Sequence, residues 1–280
     1  MEKAIKRYFP IFVLPTMIAF TLGFIIPFVE GVYLSFCKFT TVNDAKFVGF
    51  ANYAKVFADE TFVHAFWYTA AFTVVSVILI NVLAFAVALL LTKGFKGTNI
   101  FRTVFFMPNL IGGIVLGYIW QLLLNGILMK FSRTLTYSST YGFWGLIILM
   151  CWQQIGYMMI IYIAGIQNIP GELIEAAEID GATKWQILKK VTIPMVMPSI
   201  TVCTFLTLTN SFKLFDQNLA LTNGEPSKMS EMLALNIFYT FYGRTGYEGV
   251  GQAKAVIFFI LVTVIALTQN YLTRRKEVQQ

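Results

Sequence analysis

Six long stretches without Asp, Glu, Lys or Arg limit the possible folds of this chain more than any other feature. A stretch of about 18 or more residues with few or no charges is a candidate for a membrane-spanning helix. Only 12% of the 280 residues are charged and 57% are hydrophobic, whereas about a quarter of a soluble domain is charged. The sequence therefore predicts an all-α membrane protein and excludes a soluble enzyme or a disordered chain. The uncharged stretches are Tyr8–Val29, Thr61–Thr92, Thr103–Met129, Thr134–Gly171, Val191–Phe212 and Ala255–Thr273.

These stretches predict six membrane-spanning helices in one membrane domain over residues 1–280, because no linker, repeat or low-complexity segment interrupts them. A short amphipathic helix is expected at Phe50–Ala65, in the loop after the first span. Gly113 and Gly117 in the third span are four residues apart, a spacing that lets two helices approach closely. The predicted spans cover about residues 11–36, 69–91, 104–128, 143–166, 195–221 and 254–272.

The net charge of +7 is concentrated near the ends of the predicted spans. The basic groups fall in the N-terminus, the second and fourth loops and the C-terminus, all on one side of a six-span protein. Because positive loops stay on the cytoplasmic side, both termini are predicted to be cytoplasmic. This distribution favours membrane orientation over nucleic-acid binding. The groups are Lys3, Lys6 and Arg7; Lys93, Lys96 and Arg102; Lys184, Lys189 and Lys190; and Arg274, Arg275 and Lys276.

The residues that usually build metal or catalytic sites are sparse. Cys37, Cys151 and Cys203 have no short spacing, so neither a disulfide framework nor a zinc site is predicted. His64 is the single histidine, and we interpret it as a surface residue. The sequence contains no arrangement of Ser, His and Asp or of Cys and His that indicates nucleophilic catalysis.

The loop at residues 169–194 has the features of a short helix, a turn and a second helix. Pro170 can begin a helix, and acidic Glu172 and Glu175 follow where a helix N-terminus favours negative charge. Gly181 is a natural helix stop, and a second, basic helix is predicted at Ala182–Val191. From these residues alone the loop is either an interfacial amphipathic anchor or a docking element for a cytoplasmic partner. The acidic first half argues against an anchor on anionic lipid.

The spacing within this loop resembles a known motif. Glu175-Ala176-Ala177, then Gly181 four residues after Ala177, then nine residues and Val191-Thr-Ile-Pro194 resembles the EAA loop of ABC importer permeases. The stretches at residues 47–53, 101–108 and 211–224 are also similar to sugar-importer permeases, and the likeness is closest to the maltose-type first permease. One departure is Glu225, in a turn where relatives are rich in glycine.

The resemblance implies that the EAA helix is a coupling helix that docks on a cytoplasmic ATPase subunit. Glu175 would be its charged anchor and Gly181 would permit the bend, with Ala176, Ala177 and Pro194 completing the motif. The alternative is that Glu175 merely caps a solvated helix. The expected partners are a second permease, two copies of an ABC ATPase and an extracellular sugar-binding protein, in a bacterial plasma membrane. The sequence has no phosphate-binding G-x-x-x-x-G-K-[ST] loop, so ATP and Mg are expected on the ATPase and no cofactor in this chain.

Polar residues inside the fourth and fifth spans are candidates for a substrate site. Hydrogen-bonding groups mixed with aromatic rings suit a sugar, which has hydroxyl groups and an apolar face. The alternative is that the same groups join neighbouring helices. Lys213 and Asp216, three residues apart, are expected to pair with each other. The candidates are Gln153, Gln154, Tyr157, Thr207, Asn210 and Ser211.

Three functions therefore remain at this stage. The first is the permease subunit of an ATP-driven carbohydrate importer. The second is a secondary transporter, a class that usually has inverted repeats and buried ionisable groups. The third keeps the ABC machinery but transports a glycerol phosphate or another small polar metabolite.

Overall fold

The computed structural model describes residues 2–94 and 96–274, except for the side chains of residues 2–8 and of Pro10. Arg275 and Lys276, from the predicted basic C-terminal group, lie outside the described residues. These described residues are all-α apart from one small hairpin, in which β1 (Cys37–Lys38) pairs antiparallel with β2 (Lys46–Phe47).

Within the described residues, five helical segments are long and apolar enough to cross a membrane, and a bent pair of helices makes a sixth. The bend of 69° separates Lys184–Met195 from Met197–Phe212. This architecture confirms the predicted all-α membrane fold. The five segments are Ile11–Leu34, Glu60–Leu91, Gly113–Phe131, Ser139–Gln167 and Glu248–Arg274.

The described residues form both long apolar helices and short ones. The first half contains α1 (Glu2–Phe20), α2 (Ile26–Leu34), α3 (Ala51–Phe57), α4 (Glu60–Leu91), α5 (Thr98–Phe106), α6 (Gly113–Leu128) and α7 (Ser139–Gln167). The second half contains α8 (Gly171–Ile179), α9 (Lys184–Ile187), α10 (Ile193–Met195), α11 (Met197–Phe212), α12 (Asp216–Leu221), α13 (Leu233–Tyr242) and α14 (Glu248–Arg274).

The chain forms two compact units, of which the smaller comprises residues 1–60 and 237–259. In this unit, the side chain of Asn52 donates hydrogen bonds to the carbonyls of Ser35 and Cys37, at 2.9 and 2.8 Å. Gly249 lies against the same Cys37 carbonyl, so close that a Cβ there would be 2.1 Å from its oxygen. These contacts join α3, the hairpin and the start of α14.

The larger unit comprises residues 61–236 and 260–280, and its core lies between α4, α7 and α11. Large side chains of α4 and α7 are completely or almost completely buried there, including Phe72, Ile80, Leu149, Met158 and Tyr162, and α11 contributes the buried Cys203. Because burying such a side chain contributes about 1.5–3 kcal/mol in a soluble core but far less between helices in lipid, close packing must hold these helices together.

Small residues make that close packing possible. A Cβ at Gly113 or at Gly117 would lie 2.7 Å from the Cβ of Asp216 or of Ala220, respectively. The glycine pair therefore lets α6 and α12 approach closely, which confirms the packing predicted from its spacing. A Cβ at Gly156 would lie 1.8 Å from the carbonyl oxygen of Phe105, so α7 touches the backbone of α5 there.

Several predicted boundaries are wrong. The amphipathic helix expected at Phe50–Ala65 ends at Phe57, and α4 begins at Glu60, nine residues before the predicted start of the second span. The helix break at Ala58 and Asp59 is too short to show in a hydropathy pattern. The last span likewise begins earlier than predicted, at Glu248, because Lys254, the charge that set its expected start, lies inside the helix.

The third and fifth predicted spans are broken helices. A 3-10 turn over Met107–Leu110 separates α5 from α6, and Gly112 in an extended conformation lets α6 begin anew. The fifth span does not run to Leu221 as one helix, since α11 ends at Phe212 and α12 begins at Asp216. Apolar residues flank the first break and do not reveal it, while Lys213 and Asp216 at the second are equally compatible with one continuous helix.

Candidate functional site

A hydrogen-bonded pair of glutamines lies at the centre of the predicted substrate site. The side-chain amide of Gln217 on α12 donates to the side-chain oxygen of Gln153 on α7, at 2.8 Å. Gln153 in turn donates to the Ile111 carbonyl at 3.3 Å, where the chain passes from α5 to α6. Gln153 therefore links three segments of the larger unit, which fits the helix-joining role considered for it.

A second network joins α4, α7 and α11. The Tyr162 hydroxyl donates to the side-chain oxygen of Asn81 at 2.7 Å, and the Asn81 amide donates to Thr207 Oγ1 at 3.4 Å. Thr207 is completely buried and its hydroxyl donates to the Cys203 carbonyl at 2.7 Å. Thr207 is thus fully engaged in contacts between and within helices.

Other buried polar atoms of this unit have no partner of their own. Within the described part of the chain, Gln154 Oε1, Ser211 Oγ, Thr73 Oγ1 and Ser76 Oγ are buried and make no hydrogen bond. An unsatisfied buried polar group costs about 1–3 kcal/mol, so groups of this kind call for an explanation such as a ligand or water. Gln154 and Ser211 were predicted site residues, and the structure distinguishes them from the satisfied Gln153 and Thr207.

The remaining predicted site residues are partly exposed. The Tyr157 ring lies 6.4 Å from that of Phe106, centroid to centroid, and both Tyr157 and Asn210 are half-buried. The structure thus brings Gln153 together with Gln217, and Thr207 with Asn81. It shows no contact that joins all six predicted residues.

Sequence reasoning missed Asn81, Gln217, Thr73 and Ser76. A usable signal was present for Asn81, because an amide in the middle of a 32-residue apolar helix is as unusual as the glutamines of α7. Gln217 gave no such signal, since its role depends on the break between α11 and α12.

The predicted pairing of Lys213 with Asp216 is wrong. Lys213 is the C-terminal cap of α11, whereas Asp216 begins α12, so the two residues do not share one helix face. The Asp216 side chain lies against Gly113, with Oδ2 3.1 Å from the position of a Cβ there. Lys213 is exposed. His64 is also exposed, with Nε2 3.0 Å from the Met229 carbonyl, which confirms it as a surface residue.

The loop at residues 169–194 has the helix–turn–helix form that its sequence predicts. The helix α8 begins directly after Pro170, and Gly181 follows it with φ +78°, a left-handed conformation that glycine adopts readily. The Gly181 N–H donates to the Glu178 carbonyl at 3.0 Å and the Ala182 N–H donates to the Ala177 carbonyl at 2.9 Å. These bonds satisfy free carbonyls at the end of the helix.

The second helix of the loop is fixed at its start by Thr183. The Gln186 N–H donates to Thr183 Oγ1, and the Thr183 N–H donates to Gln186 Oε1 at 2.7 Å, a capping box. The segment continues through Pro194 in α10, and the 69° bend follows. The loop is therefore joined to α11 through short helical pieces.

The outer surface of this loop carries apolar side chains that the chain itself does not cover. Ile179 is 86% exposed and Trp185 is 69% exposed. Glu175 and Ala176 are exposed beside them, whereas Ala177 is half-buried. Ile174 packs against the core of the larger unit on the opposite side of α8. A helix held by one face and exposing apolar and acidic groups on the other is suited to contact with another protein.

A comparison with protein families decides the class of this molecule. Residues 80–278 match the model of the binding-protein-dependent transport system inner membrane components. This chain belongs to that family. It is therefore a membrane permease component of a binding-protein-dependent transport system.

Similar permeases match this family member over almost its whole length. The probable starch degradation products transport system permease protein AmyD of Thermoanaerobacterium thermosulfurigenes is 42% identical over 278 residues, which cover 96% of this chain and 94% of AmyD. The multiple sugar-binding transport system permease protein MsmF of Streptococcus mutans is 28% identical, with 99% of both chains covered.

The same fold is present in a solved structure. A chain of a bacterial ABC transporter involved in the import of the acidic polysaccharide alginate superposes with a TM-score of 0.82 and 23% identity, with 98% of each chain covered. At this identity the match concerns the fold, and it is that of an ABC importer permease.

Proposed function

We propose that this permease is the membrane-spanning subunit of an ATP-driven ABC importer that takes up a sugar or an oligosaccharide. The observation that carries the proposal is the 42% identity, over 96% of the chain, to a permease described as transporting starch degradation products. Starch degradation products are therefore the first substrates to test. The organisation of the intramembrane site supports the same substrate class.

The candidate site offers groups that suit a neutral, polyhydroxylated molecule. The oxygen atoms of Gln154 and Ser211 are buried without a partner, as are the hydroxyls of Thr73 and Ser76 in the described part of α4. Tyr157 on α7 is half-buried and provides an aromatic face. Sugar hydroxyls would donate to the unsatisfied oxygens, while an aromatic ring packs against the apolar face of a sugar ring.

We further propose that the loop at residues 169–194 couples the permease to a cytoplasmic ATPase. Exposed Ile179 and Trp185 would enter an apolar cleft of that partner, and exposed Glu175 would form a polar contact at its edge. The capped turn at Gly181 gives the loop a fixed shape, so that closure of the ATPase pair can move α11 through a rigid contact. ATP and Mg would be bound by the ATPase.

The complete importer would contain a second permease, two ATPase copies and an extracellular sugar-binding protein in a bacterial plasma membrane. The basic side chains near Lys93, Arg102 and Lys184 support an orientation with both termini in the cytoplasm. The loop at residues 169–194 then faces the cytoplasm, where the ATPase is.

The deciding experiment is ATP-driven uptake by the complex that purifies with this chain, reconstituted in proteoliposomes with its binding protein. We expect accumulation of labelled maltooligosaccharide that requires ATP inside and is competed by unlabelled oligosaccharide. Competition by glycerol phosphate alone would show an ABC importer of another metabolite. Uptake by the lone chain under an ion gradient, without ATP, would contradict the proposal.

A further inference from the structure

An apolar cavity of about 260 Å³ lies between the end of α6 and the beginning of α7. Its lining includes Leu124 and Leu128 of α6, Trp144 and Ile148 of α7, and Leu135 of the segment between the two helices. An apolar cavity of about 150 Å³ stays free of water and can bind benzene, so this larger space is suited to a hydrocarbon group. Its apolar lining has no set of polar groups that could satisfy the hydroxyls of a sugar.

One lining residue of the cavity, Leu135, is held in place by a hydrogen bond. The Leu135 N–H donates to the side-chain oxygen of Asn125 at 2.8 Å, which fixes the loop between α6 and α7 against α6. Leu135 itself is buried. The cavity is therefore part of the ordered packing of the larger unit.

A cation, Arg133, contacts one of the residues that line the same cavity. The Arg133 guanidinium lies over the Tyr137 ring at 5.1 Å and over the Tyr141 ring at 5.7 Å, and it donates a hydrogen bond to the Tyr141 hydroxyl. Tyr141 also lines the cavity. In the part of the chain that the structure describes, Arg133 forms no ion pair. Most of its N–H donors remain available for an anion.

The surroundings place this site at a membrane surface. The apolar part of α6 ends at Leu128 and α7 begins at Ser139, so Arg133 lies in the connection between two spans. Tyr137 precedes Tyr141 in the sequence and Trp144 follows it, and both side chains are exposed. Tyrosine and tryptophan are enriched at the level of the lipid headgroups.

We propose that this cavity and Arg133 form a binding site for an anionic phospholipid. The guanidinium binds the headgroup phosphate, since a planar guanidinium can form two parallel hydrogen bonds to phosphate oxygens. An acyl chain of the same lipid enters the apolar cavity beside Trp144. A cation without a carboxylate partner next to an apolar cavity favours a molecule that carries an anion and a hydrocarbon chain together.

Tryptophan fluorescence tests the proposal, because Trp144 lines the cavity. The full chain, purified with its associated subunits in a neutral detergent, is titrated with phosphatidylglycerol or phosphatidylcholine that carries brominated acyl chains. We expect saturable quenching by phosphatidylglycerol at several-fold lower concentration than by phosphatidylcholine. Trp144→Phe should remove most of the saturable part of the quenching.

The matched pair Arg133→Gln and Lys130→Gln separates specific recognition from general attraction. Both residues are exposed in the same loop, and both changes remove one positive charge. Arg133→Gln should abolish the preference for phosphatidylglycerol, whereas Lys130→Gln should retain it. Equal quenching by the two lipids, a preserved preference in Arg133→Gln, or unchanged quenching in Trp144→Phe would each overturn the proposal. The proposal would also be overturned if a photo-crosslinker at position 144 attached to a second permease and not to lipid.

Discussion

The ammonium nitrogen of Lys254 lies 2.7 Å from a carboxylate oxygen of Asp59, and the Lys254 side chain is completely buried. The same nitrogen donates to Thr240 Oγ1 at 2.8 Å. All three residues belong to the smaller unit, where they join the beginning of α14 to the residues just before α4. A charge buried at this depth is tolerated because its partners replace the water that it loses.

Replacing Lys254 with Met should destabilise the smaller unit strongly. Removal of one partner from a buried ion pair typically costs about 3–5 kcal/mol, because the other charge is left uncompensated. We expect a lower midpoint of thermal unfolding or aggregation, measured by fluorescence-detected size exclusion in detergent. The double variant Lys254→Met with Asp59→Leu should be less destabilised than Lys254→Met, since neither charge remains. A Lys254→Met variant as stable as the wild type would contradict this interpretation.

Gln153 and Gln154 are adjacent in the sequence but should respond oppositely to replacement by Leu. Gln153 is bonded to Gln217 and Ile111, so Gln153→Leu should lower stability, by at most about 1–3 kcal/mol, because the half-buried Gln217 amide loses this partner. The buried Oε1 of Gln154 has no partner, so Gln154→Leu should leave stability unchanged or higher. Gln154→Leu should instead weaken oligosaccharide uptake. Thermal unfolding and uptake in proteoliposomes, measured on both variants, distinguish a helix-joining residue from a substrate-binding one.

The conformation of Gly181 allows a sharp test of the coupling loop. A side chain at Gly181 would have free space but would be strained at φ +78°, at a cost of about 1–2 kcal/mol. Gly181→Ala should therefore reshape the turn and reduce sugar-stimulated ATP hydrolysis by the assembled importer, while the permease still inserts and purifies.

Gly171→Ala is the matched control for this change. Gly171 also has free space around it and lies in the first turn of α8, the helix that precedes Gly181. Its backbone is not left-handed. Its variant should keep the wild-type ATPase stimulation. If Gly181→Ala behaves like Gly171→Ala, the fixed turn is not needed for coupling.

The loop at residues 169–194 could be predicted from sequence because its structure is set by local interactions. Pro170 and Gly181 act on backbone groups within a few residues of themselves, and helix start and stop signals of this kind are readable from one segment. The packing of Gly113 and Gly117 was predictable for a similar reason, since small residues four apart have few other uses in a membrane helix.

The substrate site could be predicted only in part, because its geometry depends on segments distant in sequence. The break between α11 and α12 brings Gln217 to Gln153 and separates Lys213 from Asp216. The segment Phe212-Lys-Leu-Phe-Asp216 does not mark that break, since charges three residues apart are equally compatible with one continuous helix. Likewise, the charge of Lys254 predicts the edge of a span. The sequence does not reveal that Lys254 is buried inside the helix, because its partner Asp59 is nearly 200 residues away.

Gly156 is required by the contact between α5 and α7. A Cβ there would meet the Phe105 carbonyl oxygen at 1.8 Å, and the backbone of α5 cannot yield as a flexible side chain would. Gly156→Ala should cost about 1–3 kcal/mol or more and should lower the unfolding temperature. Gly126→Ala on α6, where nothing lies within 4 Å, should be neutral or slightly stabilising. Equal unfolding temperatures for the two variants would contradict the predicted clash.

The carboxylate of Asp44 should make the loop between α2 and α3 sensitive to acid. The backbone N–H groups of Thr40 and Thr41 donate to it at 2.9 and 3.0 Å, and they hold the pKa of Asp44 below its ordinary value. The ionised carboxylate therefore stabilises the folded loop at any pH above about 3.9, the pKa of Asp in an unfolded chain. That stabilisation is lost as the pH falls through the lower pKa that Asp44 has in the folded protein.

Hydrogen exchange of the Thr40 and Thr41 amides measures this effect directly. At pH 7 these amides should exchange faster in Asp44→Ala than in the wild type, because the acceptor of both hydrogen bonds is gone. When the pH falls below the pKa of Asp44 in the folded protein, the exchange rates of wild type and variant, compared at the same pH, should converge. Protonation removes the negative charge that strengthens both hydrogen bonds. A Glu60→Ala control, which changes an exposed carboxylate just after α3, should leave both amides unaffected. Equal exchange in Asp44→Ala and wild type at pH 7 would show that the carboxylate does not order the loop.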